Sequence, residues 1–205
     1  MTETSCTYPL TLAAAGGQSV VRARLREDDR EAIEACQRGD REAFDRLVQR
    51  YQRDVYRLCY RYLNNHEDAD DVAQEVFLRA YRAIGRFRGE SAFSTWLYRI
   101  AVNACLNFRS ARRPPAATEV PEAIPDPRPG AQSKVERDER SRQVRDAVSR
   151  LPEKQRATVI LKVYHDLTHE EVAGILGATV GTVKANLFHA LANLKKTLGR
   201  EAGAR

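Results

Sequence analysis

The stretch from Asp166 to Leu198 constrains the fold more than any other part of the chain. Thr168-His169-Glu170-Glu171 has the form of a capping box, with Thr168 as N-cap and Glu171 at the third helical position. The spacing predicts a short helix with Val172, Ile175 and Leu176 facing inward, and Gly177-Ala178-Thr179 as the turn that ends it. Thr179 then caps a second helix, with Thr182 as its third residue. Along that helix Val183, Leu187, Leu191, Leu194 and Leu198 recur at steps of four and three and share one face. The opposite face carries Thr182, Ala185, His189, Ala192 and Lys196, with Asn186 and Asn193 beside it. No Asp or Glu occurs between Val172 and Arg200, whereas Lys184, Lys195, Lys196 and Arg200 are basic. This is the pattern of a helix-turn-helix offering its second helix to DNA; the competing reading is a plain helical hairpin with a solvated basic face.

Upstream, the apolar positions keep a helical period. Asp29 to Arg38 reads as a short helix broken at Gly39. Asp40 caps a long helix whose stripe is Ala43, Phe44, Leu47, Val48, Tyr51, Val55, Leu58, Cys59 and Tyr62. After Asn64-Asn65-His66 a further helix runs from about Glu67 to Ile84, burying Ala69, Val72, Ala73, Val76, Ala80 and Ala83. Its other side mixes Asp70, Asp71, Gln74, Leu78 and Tyr81, with Glu75 and Arg82 flanking, and an apolar leucine among carboxylates suits a partner surface. A loop holding Phe87, Arg88, Gly89, Glu90, Ser91 and Phe93 leads to a helix capped by Ser94, with Leu97, Ile100, Ala101, Ala104, Phe108 and Ala111 inside. Beside that stripe runs a row of Trp96, Arg99, Asn103, Asn107 and Ser110, ending near Arg109, Arg112 and Arg113. Aromatic, guanidinium and amide groups in one row suit single-stranded nucleic acid, where stacking is worth about 1–3 kcal/mol per base. Phe93 and Trp96 can equally fill a small core.

Six of the eight prolines (Pro114, Pro115, Pro121, Pro125, Pro127 and Pro129) fall between Arg113 and Gly130. Such a segment is an extended linker. The expected organisation is therefore all-α: an N-terminal extension (1–27) read as mostly disordered, a helical domain (28–113), the linker (114–133), a second helical domain ending in the helix-turn-helix (134–199), and a tail (200–205). In the second domain Pro152 opens a helix reaching about Tyr164, which packs Ala157, Ile160, Leu161 and Tyr164 under the helix-turn-helix.

Bulk properties narrow the function. A net charge of +6 over 205 residues is compatible with a polyanionic partner. The four cysteines (Cys6, Cys36, Cys59 and Cys105) show no metal-ligand spacing, and Cys59 and Cys105 sit in apolar helical patterns as small hydrophobes of a reducing compartment. No apolar run approaches the roughly 18 residues of a membrane span, and no signal peptide is evident, so a cytoplasmic protein without membrane insertion is expected.

Three segments together resemble the extracytoplasmic-function (ECF) group of bacterial sigma factors. They are Asp68-Ala69-Asp70-Asp71-Val72-Ala73-Gln74-Glu75-Val76-Phe77, then Phe87 through Asn103, then Leu151-Pro152 with Gly181-Thr182-Val183-Lys184. The resemblance implies a transcription initiation factor, monomeric when free, whose partners are RNA polymerase core, promoter DNA and an anti-sigma factor. It implies that Asp70, Asp71, Gln74, Glu75 and Leu78 bind the β′ clamp helices. It implies that Phe87, Arg88, Gly89, Glu90, Ser91, Phe93, Trp96, Arg99, Asn103, Arg112 and Arg113 recognise and melt the −10 element, with a flipped base held by the loop. The linker would thread the polymerase cleft, and the second domain would sit on the β flap. Thr179, Thr182, Lys184, Ala185, Asn186, His189 and Lys196 would then meet the −35 element. The chain departs from the family where Ser and Arg commonly follow the Lys, since here Ala185, Asn186 and His189 stand there.

Two other classes are weighed. A LuxR-like regulator shares this helix-turn-helix but carries a receiver or ligand domain, usually α/β, where residues 29–113 read as all helix. An enzyme could use Asp71 and Glu75, spaced i and i+4, to seat Mg²⁺. Asp70 lies well round that helix, His169-Glu170-Glu171 is not HExxH, and no phosphate loop or nucleophile elbow appears. No catalytic residue, cofactor or metal is expected.

Overall fold

The computed structural model describes residues 28–112 and 132–202, which form helices joined by short loops. The expectations for residues 1–27, for Arg113 and for most of the linker lie outside the described residues. Internal contacts group the chain into one unit ending at Leu47 and a larger one from Val48 onward, which takes in helices from both sides of residues 113–131.

In the first unit, α1 (residues 28–37) is followed by the start of α2 (Arg41–Leu63). Gly39, at φ 98°, makes the turn between them, and the Asp40 carboxylate accepts the Ala43 N–H at 3.2 Å as the expected cap. Ala32, Ile33, Ala35, Ala43, Phe44 and Leu47 are buried.

In the second unit α2 continues with Tyr51, Val55, Leu58, Cys59 and Tyr62 buried at the predicted steps. Asn64 takes the left-handed conformation (φ 56°), which asparagine tolerates, and ends the helix. Asn65 caps α3 (His66–Ala83), its side-chain oxygen accepting the Asp68 N–H at 3.0 Å. Ala69, Val72, Ala73, Val76 and Ala80 bury one narrow face, and α3 lies against α4 (Phe93–Ala111). The small side chains let the two backbones approach. Cys59 and Cys105 are both fully buried. The Cys59 contact and burial together push the Cys105 thiol far above its usual range, so both behave as small hydrophobes.

Two details of α4 differ from expectation. The helix starts at Phe93 behind Ala92, which offers no side-chain cap, so Ser94 lies inside the first turn. Burial of Phe93 against Tyr51 (ring centroids 5.5 Å apart) sets that start in place of a capping hydroxyl. Ala111, expected inside, is exposed at the end of the helix.

The C-terminal helices are α5 (Gln132–Ser149), α6 (Glu153–Val159), a π-helical turn (Ile160–Tyr164), α7 (His169–Leu176) and α8 (Val180–Ala202). Pro152 is the residue before α6 and not its first position. The predicted single helix to Tyr164 is two pieces, α6 and the wider turn. Its buried residues include Ala157, Ile160 and Leu161 as expected, but Tyr164 is only half-buried, with the Arg61 guanidinium 3.7 Å from its ring centroid.

Arg156 is 3% exposed, which no apolar periodicity foretells. It donates from Nε to the Val148 carbonyl at 3.2 Å and from Nη2 to the carbonyls of Ser149 and Leu151. These carbonyls lie in the last turn of α5 and just beyond it, so a cation meets the negative helix terminus from within.

Candidate nucleic-acid interface

The helix-turn-helix is built by local chemistry. Thr168 and Glu171 form the reciprocal capping box: the Thr168 hydroxyl accepts the Glu171 N–H at 3.2 Å, and the Glu171 carboxylate accepts the Thr168 N–H at 2.8 Å. Gly177, at φ 60° and ψ 38°, closes α7 in the left-handed region. The Thr179 hydroxyl accepts the Thr182 N–H at 3.1 Å and also bonds the Thr182 hydroxyl at 2.9 Å. Thr179 therefore serves first as a cap.

The inner face of α8 is Val183 and Ala190, both fully buried, with Leu187, Leu194 and Leu198 partly covered. Leu191, expected inside, is 51% exposed. At about 100° per residue Ala190 lies nearer the direction of Val183 than Leu191 does, so the alanine takes the core position. Thr182, Ala185, His189 and Lys196 are exposed on one side as predicted, and Asn186 is half-buried beside them. Asn193 is engaged elsewhere, donating to Gln155 of α6 at 2.9 Å. Thr182 to His189 spans roughly 10 Å of helix, a length that fits a major groove, whereas Lys196 sits roughly 10 Å further along. Lys184 is exposed well to the side of that face, next to Phe188, which is 71% exposed. Phe188 escaped the reading of the sequence, because the amphipathic pattern says nothing of an aromatic at the rim.

The second candidate surface begins at Phe87. Gly89, at φ 72°, allows the loop to reverse. Phe87, Phe93 and Trp96 form a mutual cluster, with centroids 5.2 Å (Phe87–Trp96), 5.5 Å (Phe93–Trp96) and 5.8 Å (Phe87–Phe93) apart. Phe93 is core, while Phe87 and Trp96 stay half-exposed, so the cluster has both a structural base and an accessible rim. Arg99, Asn103, Asn107 and Ser110 continue the row, all exposed. Arg88, Gly89 and Glu90 are exposed at the loop tip, Ser91 half-buried. Arg112 is already paired: its Nη1 lies 2.7 Å from the Asp68 carboxylate, and its guanidinium stacks on Phe108.

The third surface lies on α3. Asp70, Asp71 and Gln74 are exposed, Glu75 is half-buried and pairs with Arg79 at 2.7 Å, and Leu78 and Tyr81 are 51% and 44% exposed. Beside its first turn Tyr60 stacks on His66 at 4.2 Å and Tyr56 bonds His66 Nδ1, an aromatic group that periodicity does not reveal. No group of three or more His, Cys, Asp or Glu among the described residues could hold a metal ion. No described helix is long and apolar enough to cross a membrane.

Helices throughout the described residues, ending in a doubly capped helix-turn-helix with a polar outer face, define a helical DNA-binding protein. Residues 47–114 match sigma-70 region 2, and residues 141–194 match sigma-70 region 4. The RNA polymerase sigma-H factor of Pseudomonas aeruginosa is 39% identical over 183 residues, 84% of this chain and 94% of that protein. The ECF RNA polymerase sigma-E factor of Escherichia coli K12 is 42% identical over 172 residues, 79% of this chain and 90% of that protein. Among solved structures, the sigma factor RpoE in complex with the anti-sigma factor NepR from Bartonella quintana has the same fold, with a TM-score of 0.60 at 19% identity over 76% of this chain and 96% of that one. The chain belongs to the ECF sigma factors of bacterial RNA polymerase: it is a promoter-directing transcription initiation factor and not an enzyme. The region 2 match over residues 47–114 favours this family over a LuxR-like regulator.

Proposed function

We propose that residues 28–113 bind core polymerase and open the −10 element, that residues 134–199 read the −35 element, and that residues 114–133 connect them through the polymerase cleft. The observation that carries this reading is that one chain exposes two unlike nucleic-acid surfaces. Trp96, Arg99 and Asn103 suit unpaired bases, and the acid-free Thr182–His189 face suits a duplex groove. Phe87 through Phe93 form the loop that holds a flipped base. Arg112 releases Asp68 to reach the strand, with Arg113 beside it. Thr182, Ala185, Asn186 and His189 read bases, Thr179 positions the helix, and Lys184 and Lys196 bind phosphate. Asp70, Asp71, Gln74, Glu75 and Leu78, extended by the exposed Tyr81, form the contact to the β′ clamp helices, and the second domain rests on the β flap.

The RpoE structure from Bartonella quintana contains an anti-sigma factor, and a partner of that kind covers these faces when initiation is off. The free protein is a monomer and acts in the cytoplasm, where polymerase meets promoter DNA. Run-off transcription with purified core polymerase on fragments of the source genome is the test. Specific initiation that depends on this protein and is lost with Asp71→Lys is expected. Transcription unchanged by its addition on every fragment would refute the proposal.

A further inference from the structure

At the corner between α2 and α3 the chain builds a surface group that no core position requires. Tyr56 and Tyr60, four residues apart, share one side of α2, and their rings stack 6.2 Å apart at an interplanar angle of 9°. His66, the first residue of α3, lays its ring on Tyr60 with 4.2 Å between centroids at an angle of 22°. The Tyr56 hydroxyl hydrogen-bonds His66 Nδ1 and holds the imidazole in the stack. The turn fixes the arrangement: Asn64 in the left-handed conformation and Asn65 as N-cap bring His66 against α2. Burial does not demand it. The adjacent core is filled by Val55, Leu58, Cys59 and Tyr62, each at most 1% exposed, whereas His66 is exposed and both stacked tyrosines are only half-buried.

The surroundings of the stack are acidic. Glu67, Asp70 and Asp71 are exposed in the first turns of α3, and Asp70 stands one turn beyond His66 on the same side. Burial and then the Asp70 carboxylate raise the Tyr56 hydroxyl above its usual pKa, which puts that charge close to the rings. Ring faces attract cations, and this chain uses that attraction at two other half-buried rings. Arg61 covers Tyr164 at 3.7 Å, and Arg112 covers Phe108 at 4.4 Å. Among the described residues no guanidinium covers Tyr56, Tyr60 or His66, and Arg57 beside them is turned to Asp54 at 3.7 Å. A carboxylate one turn from an open aromatic stack matches a guanidinium, whose plane stacks while its N–H fork reaches the carboxylate. A lysine ammonium lacks that plane. The same negative charge repels a phosphate backbone, so an unpaired base is the poorer fit.

We propose that the Tyr56–Tyr60–His66 stack, together with Asp70, is a guanidinium socket: it takes an arginine of the polymerase surface that docks on α3, so that the partner grips α2 as well. The inference rests on the reading of Asp70, Asp71 and Gln74 as the clamp contact. It adds a second element to that contact and names the side chain received there. Because the rings are stacked before the partner arrives, little side-chain freedom is lost on binding.

Titration of the labelled full-length chain with purified core polymerase tests it. Tyr60→Ala removes the ring that meets both others and is expected to weaken binding on the order of tenfold, with helical circular dichroism unchanged. His66→Arg seats the chain's own guanidinium in the socket; it is expected to act in the same direction and serves if Tyr60→Ala does not fold. Asp70→Ala should weaken binding too. In the double variant Tyr60→Ala/Asp70→Ala the loss should fall well short of the product of the separate losses, as for two groups that hold one side chain. Wild-type affinity in Tyr60→Ala and His66→Arg, or fully multiplicative losses in the double variant, would overturn the socket. Variants that bind polymerase normally but whose holoenzyme loses a single-stranded −10 oligonucleotide would overturn it in favour of a base-stacking site. Asp71→Lys separates the two ideas. Affinity lost there with the stack variants unaffected overturns the socket alone, whereas affinity unchanged in every variant overturns the clamp reading with it.

Discussion

Asn186 and His189 are where this chain's promoter preference is expected to differ from that of its relatives. Arginine reads guanine bidentately, while asparagine pairs with adenine, so replacing the usual basic readers moves the preferred −35 bases. Substituting each by alanine and titrating binding against every −35 base change should flatten preference at one or two positions by about 1–3 kcal/mol each. An unchanged profile would remove these residues from the readout. Lys184 provides the contrast: its loss should weaken all sequences alike and reduce the salt slope by about one. His165 is the other residue with a distinctive chemistry. Burial, with Arg61 and Arg57 assisting and Asp54 opposing, pushes its pKa from the ordinary 6.5 down to about 4, and the Tyr98 ring faces it from α4. The fold accepts the neutral imidazole, so this contribution to stability is complete above about pH 6.5 and is lost as pH falls toward 4. Lowering the pH from 7 to 5 should lower the urea midpoint, and His165→Gln should abolish that dependence. Urea denaturation across the pH range checks both.

Among the elements, α7 owes its position to two ends. Its eight residues are too few to hold a helix alone, so the Thr168–Glu171 box and the left-handed Gly177 carry unusual weight. Thr168→Ala should cost about 1 kcal/mol, read as a shift in the urea midpoint. Nothing lies within 4 Å of a Cβ built on Gly177, so any cost of Gly177→Ala is backbone strain alone. If Thr168→Ala leaves stability unchanged, packing of Val172, Ala173 and Ile175 alone holds the helix. The same element shows how local rules reach their limit. The break of α6 into a π-helical turn has no signal in the residues Ile160–Tyr164, whose apolar spacing fits an ordinary helix equally well.

Over the whole molecule, helix positions, the buried stripe of α3 and both caps of the helix-turn-helix are legible in residues alone. Each depends on partners three or four positions away, a distance at which chain geometry admits few alternatives. The exposed rows follow from the same period: where one face is apolar, the other must be offered to solvent or a partner. What remained hidden depends on residues far apart in sequence. Arg156 enters the core because the α5 carbonyls happen to end above it, and Arg112, still exposed, is paired with Asp68, 44 positions earlier. Leu191 yields its core place to Ala190 through a small difference of helical angle that only a real neighbour can arbitrate. The ring contacts among Arg61, Tyr62, Tyr98, Arg156, Tyr164 and His165 draw on four stretches of chain and have no periodic trace. Local spacing was enough to establish which kind of protein this is. Which distant residues meet in its core was decided in three dimensions, because desolvation and stacking act between surfaces that the linear order keeps apart.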